Sequence, residues 1–374
     1  MALNINKTLT RLLSDRLGRS ATRLELAPRL RLLGSALPQL TAEEKSSISN
    51  IWGETGKGVL NYDYWRFYKA MNPDISSLHE FVPDNIYWSR IIRALNPASL
   101  TRTYINKSLY PIIFKGLKQP DILINVIDGV IYSGDMERLS ADEAVKALRD
   151  YGHDIIIKPT TATSGGSGVT RLKAGSSTDD IKKTLSSFGK KFICQGVVRQ
   201  SSHTAAFNDS SLNTFRVNTL NINGKTSCEL MMMRHGLNGN FIDNFAAGGV
   251  VCGMRKDGSF NGNNFNVRLQ RITQLHDGTP YSSLSVPGVD RVIETAINAH
   301  RRFMPHIGHA AWDFALDEDG IPVMIEVNLM LPGILMEQLT AGNSIFGNRT
   351  REVIDLAITR NKSIAWTEFV GGWE

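Results

Sequence analysis

The chain has 374 residues, 42% hydrophobic and 21% charged, a globular composition that excludes a disordered or fibrous protein and leaves room for about two or three domains. No apolar run reaches the roughly 18 residues of a spanning helix, and the start lacks the apolar core of a secretory signal, so a soluble or peripheral protein is expected. Of the net charge of +6, +5 resides in residues 1–34, and the nearly neutral remainder has no basic stripe interleaved with aromatics, which argues against a nucleic-acid partner.

In the first segment Leu9, Leu12, Leu13, Leu17 and Leu24 recur at helical spacing up to Pro28, with arginines between them, which reads as a basic amphipathic helix. Three readings are open for it: a helix packed on the body with a solvated basic face, a surface helix drawn to anionic lipid, or a transit peptide, the last opposed by Asp15 and Glu25. Residues 50–100, with Trp52, Tyr62, Tyr64, Trp65, Phe67, Tyr68, Tyr87 and Trp88, read as a small packed unit. In DILINVIDGVIY (121–132), two β-branched runs meet at Asp128-Gly129, a hairpin signal. Residues 140–151 read as a helix capped by Ser140 and Glu143. Strands follow at 154–159, 191–198, 214–222 and 228–234, then a helix at 289–303 and a hairpin at 309–328. Mixed elements in this order indicate an α+β protein with mainly antiparallel sheets. Cys194, Cys228 and Cys252 show no CxxC spacing, so neither a disulfide framework nor a zinc site is encoded, and a reducing, cytoplasmic compartment is expected.

The hairpin HAAWDFALDEDGIPVMIEVN (309–328) carries the strongest chemical signal. A two-residue turn at Asp319-Gly320 puts Asp313 opposite Glu326, with Trp312, Phe314, Leu316, Val323, Ile325 and Val327 on an apolar face and Asp313, Glu326 and Asn328 on the other. Opposed carboxylates call for a positive charge between them, which a hard cation such as Mg²⁺ supplies; a pair tolerated on a water-facing side is the alternative. Upstream, Lys158 closes a strand before Ser164-Gly165-Gly166-Ser167-Gly168, where small residues allow backbone N–H groups to approach phosphate. A plain loop is the alternative here. The hexapeptide Gly53–Gly58 (GETGKG) fails the spacing of a Walker A loop, and no GxGxxG occurs.

Together these residues resemble the ATP-grasp superfamily, over roughly 100–345. The resemblance implies two α+β subdomains with mainly antiparallel sheets enclosing a nucleotide, preceded by a helical, aromatic-rich N-terminal region. The implied divisions are 1–40, 41–100, a small lid subdomain at 101–200, and a metal- and substrate-binding subdomain at 201–374. It makes Asp313, Glu326 and Asn328 the Mg²⁺ ligands. Lys107, in Asn106-Lys107-Ser108, and Lys158 become phosphate contacts, with Gly165, Gly166 and Ser167 in the lid. Gln195 and Val197 fall at the adenine hinge, where Gln195 replaces a usual Glu, and His203 at the ribose. Arg216, in Asn213-Thr214-Phe215-Arg216-Val217, and Arg234 fall at the reaction centre, and Asn244 and Gly333 border the substrate. Tyr62–Tyr68 (YDYWRFY), Asp243-Asn244, Gly248-Gly249 and the WDFALDEDG–IEVN ending are similar to the sugar-transfer-associated subgroup.

That resemblance implies ATP and Mg²⁺ as cofactors and a carboxylate–amine ligase acting through an acyl phosphate on a small or sugar-linked acid, in surface polysaccharide or sugar-conjugate biosynthesis. A kinase on the same fold and a non-catalytic nucleotide-binding protein are the alternatives. The expected location is cytoplasmic, with peripheral contact at the inner membrane face through 1–34 under the lipid reading of that segment.

Overall fold

Two antiparallel sheets, one five-stranded and one six-stranded, organise the chain, whose computed structural model describes residues 2–34, 37–75, 77–161, 168–237 and 248–361. The smaller sheet comprises β1 (Ile122–Ile127), β2 (Val130–Ser133), β3 (Ile155–Pro159), β4 (Thr170–Leu172) and β5 (Phe192–Gly196), in the order β2-β1-β5-β3-β4. The larger comprises β6 (Thr214–Ile222), β7 (Lys225–His235), β8 (Val250–Met254), β9 (Phe260–Phe265), β10 (His309–Leu316) and β11 (Pro322–Asn328), in the order β11-β10-β6-β7-β8-β9. The β1–β2 turn falls at Asp128-Gly129, with Ile127 opposite Val130. The helix Ala141–Asp150 starts in a capping box between Ser140 and Glu143, and the helix Val289–Phe303 has the expected span.

The smaller sheet buries one face under helices, and the larger sheet packs both of its faces. In the smaller sheet Ile124, Val126, Ile155, Ile157, Phe192 and Cys194 join Ala144, Leu148 and Ile181 in one core. In the larger, Phe215, Val217, Trp312 and Phe314 pack with Val292, Ile293 and Ala296 of the helix Val289–Phe303. The period of two along each strand leaves the alternate residues for the opposite faces, and these carry the polar groups described below.

The aromatic segment 50–100 does not form a core of its own. Trp52, Tyr64, Trp65, Tyr68 and Tyr87 share one cluster with Leu220, Leu230 and Met232 of the larger sheet and with Leu335 and Leu339. Gln338 ties these parts together through its buried amide. Its Oε1 accepts from Val82 N at 2.9 Å and Ile345 N at 3.1 Å, and its Nε2 donates to Tyr68 Oη and Val82 O, each at 2.8 Å. Asn96 similarly clamps the hairpin, accepting from His309 N at 3.0 Å and donating to Leu329 O at 2.8 Å.

The N-terminal segment departs from expectation in two ways. Its helix does not stop at Pro28: Ala2–Ala21 passes through one π-helical turn, Thr22–Leu26, into the helix Ala27–Leu33, where Pro28 lies in the first turn and its missing N–H is harmless. The buried stripe is Ser14, Leu17, Gly18, Ala21 and Leu26, whereas Leu12 and Leu24 face outward. Close approach selects this stripe, since a Cβ on Gly18 would lie 2.9 Å from Val59 Cγ1 and 3.1 Å from Asn85 O.

The carboxylate hairpin pairs Asp313 with Glu326 as expected, by a different route. Asp317 forms the turn: its N–H donates to Ile321 O at 3.1 Å and its Oδ1 accepts from Ile321 N at 2.8 Å, while Gly320 takes φ +69°. The loop is therefore one residue longer than a two-residue turn, and a bulge at Ile325 restores the register, with Phe314 opposite Met324 and Asp313 opposite Glu326. Met324, in place of Val323 or Ile325, consequently packs beside Trp312 and Phe314.

Candidate active site

Four adjacent strands place the charged groups of the larger sheet side by side. Asp313 on β10 pairs with Arg216 on β6 and Glu326 on β11, and Arg234 on β7 pairs with Thr214. Arg216 donates from Nε to Asp313 Oδ1 at 2.5 Å, from Nη2 to Asp313 Oδ2 at 3.1 Å, and from Nη1 to Glu337 Oε1 at 3.0 Å. Arg234 Nη2 lies 3.0 Å from Asp313 Oδ2, and its Nε and Nη2 donate to Thr214 Oγ1. Asn218 Nδ2 completes the group, donating to Glu337 Oε2 at 2.6 Å. Burial works to lower the Arg216 pKa, but Asp313 and Glu337 outweigh it and hold the guanidinium firmly charged. Burial pushes the Glu337 carboxyl up, against the pull of Arg216 and Asn218.

The lysines come from the other sheet and its lead-in. On β5 and β3, Gln195 pairs with Ile156 and Ile193 with Lys158, on the face opposite the core formed by Ile155, Ile157 and Cys194. Lys107 N donates to Thr160 O at 3.1 Å, which holds Lys107 beside the end of β3. Its Nζ lies 3.0 Å from Glu326 Oε2. Among the described residues Lys158 makes no hydrogen bond or ion pair. Burial, and then the neighbouring charge of Lys107, bring its pKa down to about 8 in spite of Glu326 and Asp313. Glu326 responds in the opposite sense: burial would raise it, yet Lys107 and Lys158 hold it well below the ordinary carboxylate range.

The positive charge between the opposed carboxylates is thus supplied by the chain itself, through Arg216, Arg234 and Lys107, and charge balance alone does not demand a cation. The donor chemistry nevertheless fits one. Asn328 Nδ2 stands 3.4 Å from Asp313 Oδ2 and 3.3 Å from Glu326 Oε1, so two carboxylates and an amide meet at one point. Turning the amide over presents its oxygen there, giving the hard oxygen set that Mg²⁺ takes. Asn328 matters to that set, because among the described residues no three His, Cys, Asp or Glu side chains converge on a metal position. The lysines fit a polyanion: burial and a second lysine lower the Lys158 pKa, and phosphate oxygens between the two would relieve both.

The remaining expected site residues are distributed differently. Gln195 is buried in β5, and Val197 follows it, its N–H donating to Asp154 O at 3.4 Å. His203 is exposed on the short helix Ser202–Ala205 and is not drawn into the charged cluster. Gly333 lies against Glu25, with a Cβ position 3.1 Å from its Oε2. Gly165, Gly166, Ser167 and Asn244 fall outside the described residues. Glu337, Asn218 and Thr214 are additions that strand reading missed. The available signal was the one charged residue inside LMEQLTA, a helix just after Leu331-Pro332-Gly333.

Two antiparallel sheets that present lysines on one side and a carboxylate–arginine network on the other define an ATP-grasp fold, a class whose cofactors are ATP and Mg²⁺. Residues 88–354 match the family described as sugar-transfer associated ATP-grasp, and the chain belongs to that family. The matched range begins after Tyr62–Tyr68. Similar solved structures include the D-alanine-D-alanine ligase from Coxiella burnetii, at 14% identity and TM-score 0.41, covering 69% of this chain and 58% of that one. The L-amino acid ligase from Bacillus licheniformis shares 17% identity at TM-score 0.41, covering 73% and 51%. The biotin carboxylase from Campylobacter jejuni, in a β-γ-ATP complex, shares 15% at TM-score 0.44, covering 73% and 51%. The chain thus spans between half and three-fifths of the length of these proteins. No curated protein matches the sequence significantly.

Proposed function

We propose that the protein is an ATP- and Mg²⁺-dependent ligase that joins a carboxylate to an amine through an acyl phosphate. Its substrates are a small or sugar-linked acid and an amine acceptor, within surface polysaccharide or sugar-conjugate synthesis. The observation that carries this reading is the meeting of Lys107 and Lys158 with Asp313, Glu326 and Asn328, beside two arginines. A carboxylate approaching a phosphoryl group meets like charge, so catalysis must come from positioning and neutralisation. The cluster is built of groups that do both.

When bound, ATP and Mg²⁺ supply the phosphoryl group and a Lewis acid on its oxygens. Asp313, Glu326 and Asn328 hold the metal, and Lys107 and Lys158 hold phosphate oxygens. Gln195, Val197 and His203 receive the adenosine, and the family's lid role, excluding water from the acyl phosphate, falls to Gly165, Gly166 and Ser167. Arg216 and Arg234 stabilise charge on the transferring group, and Asn244 and Gly333 border the substrate. A substrate carboxylate oxygen forms the new P–O bond as ADP departs. The amine nitrogen then attacks the acyl carbon, phosphate leaves, and the amine loses a proton. The three cysteines are buried and unpaired, which supports a reducing, cytoplasmic setting.

The test is product analysis with candidate acid and amine pairs. ADP, free phosphate and an amide are expected, and with the acid alone hydroxylamine should trap a hydroxamate. A stable phosphorylated product without free phosphate would replace the ligase by a kinase.

A further inference from the structure

The charge of residues 1–34 acquires a direction once the segment is folded. Both of its acids turn inward: Asp15 pairs with Arg90, and Glu25 with Arg29 at 3.2 Å. The inner side is fixed by further contacts, Ser14 Oγ donating to Ser89 O at 2.5 Å and Gly18 packing on Val59. The exposed residues between 10 and 34 are Arg11, Leu12, Arg16, Arg19, Arg23, Leu24, Pro28, Arg31, Leu32 and Gly34. No acid is among them. Leu12, Arg16, Arg19 and Arg23 follow the i, i+4, i+7, i+11 spacing of one helical face, and that face extends roughly 16 Å along the axis.

Three leucines stand out of this basic surface, Leu12 at 57%, Leu24 at 55% and Leu32 at 53% exposure. Arginines alone would suit any polyanion. Leucines held in water among them suit a partner that offers negative charge at its surface and hydrocarbon just beneath, which is the outer layer of an anionic bilayer. No helix among the described residues is long and apolar enough to cross a membrane, so the contact available to this segment lies in the plane of the surface. We propose that the exposed face of residues 11–32 docks the protein onto anionic lipid. The segment is also held to the body where Glu25 lies against Gly333, so docking fixes the orientation of the body relative to the bilayer. The proposal rests on the helix alone and does not depend on the ligase reading.

The experiment is co-sedimentation of the full chain with vesicles of phosphatidylcholine alone and of phosphatidylcholine with phosphatidylglycerol, at low and high salt. Three proteins are compared: wild type, Arg16→Glu/Arg19→Glu/Arg23→Glu, and Leu12→Ser/Leu24→Ser/Leu32→Ser. Wild type should bind only the anionic vesicles and weaken with salt. Each basic residue near such a surface is worth about fivefold in binding, so the arginine variant should lose on the order of a hundredfold or more. The leucine variant should bind anionic vesicles severalfold less while keeping its salt dependence. All substituted positions are exposed, so unchanged unfolding midpoints are expected and keep the comparison valid. Absence of wild-type binding, equal binding to neutral vesicles, or full binding by the arginine variant would overturn the proposal. Binding to duplex DNA that needs the arginines, together with a leucine variant unimpaired on vesicles, would overturn it in favour of nucleic acid.

Discussion

The two walls of the candidate site solve the same electrostatic problem in opposite ways. On the larger sheet, Asp313 and Glu337 are buried and matched by Arg216, Arg234 and Asn218 through close contacts. That wall is complete without a ligand. On the smaller sheet Lys158 makes no ion pair among the described residues and faces Lys107, which is itself matched to Glu326. Across the site, three carboxylates meet four cations, and the excess lies on the lysine side. The difference shows where the fold spends its rigidity and where it leaves room: the arginine network fixes the geometry, and the lysine wall waits for negative charge.

The sharpest way to break this contrast is to remove the centre of the completed wall. Arg216→Met leaves Asp313 and Glu337 buried without their shared partner, and loss of one member of such a network costs about 3–5 kcal/mol. Urea unfolding should register that loss in full. A cost within about 0.5 kcal/mol would mean the network is not structural. Glu326→Gln, at the border between the walls, should act on chemistry instead: turnover falls by roughly a hundredfold or more, as expected for a lost metal contact worth several kcal/mol, while the fold survives. Wild-type turnover at low Mg²⁺ in this variant would remove Glu326 from the metal set.

Smaller effects sharpen the picture. Gln338→Leu strands the Val82 and Ile345 N–H groups that Gln338 satisfies, for about 1–3 kcal/mol of stability, and so tests whether the helix bearing Glu337 is anchored through the N-terminal region. Lys158→Met should have the opposite sign. The folded protein holds Lys158 at about 8, below its ordinary 10.5, so the unfolded chain binds more protons between these values. Wild-type stability should therefore rise with pH through that window. The variant should lack this rise and unfold at a slightly higher temperature than wild type at pH 7. A lower midpoint at pH 7, or an unchanged pH profile, would show that the lysine is already compensated.

Much of this was legible in the sequence, for local reasons. Strand periodicity, the Asp128-Gly129 turn and the Ser140–Glu143 capping box depend on neighbours in sequence, and the spans of β6 and of the helix Val289–Phe303 emerged as expected. The pairing of Asp313 with Glu326 was also readable, although only because the longer Asp317 turn and the Ile325 bulge offset one another. What escaped reading depends on contacts distant in sequence. Glu337 meets Arg216 across 121 positions, and no local pattern announces that partner. The outward turn of Leu12 and Leu24 was hidden for a related reason, because the inner stripe is selected by Gly18 against Val59 and Asp15 against Arg90 more than by hydrophobicity.

The candidate site requires a nucleotide and a metal to meet between the walls, and thermal unfolding reads that most directly, since a ligand that binds only the folded state raises the midpoint. Wild type and Glu326→Gln would be heated with ATP, with Mg²⁺, and with both. The expected result is a rise in wild type that requires both together and is lost or much reduced in the variant. No rise in wild type at millimolar nucleotide, or the same rise in both proteins, would contradict the site as built here.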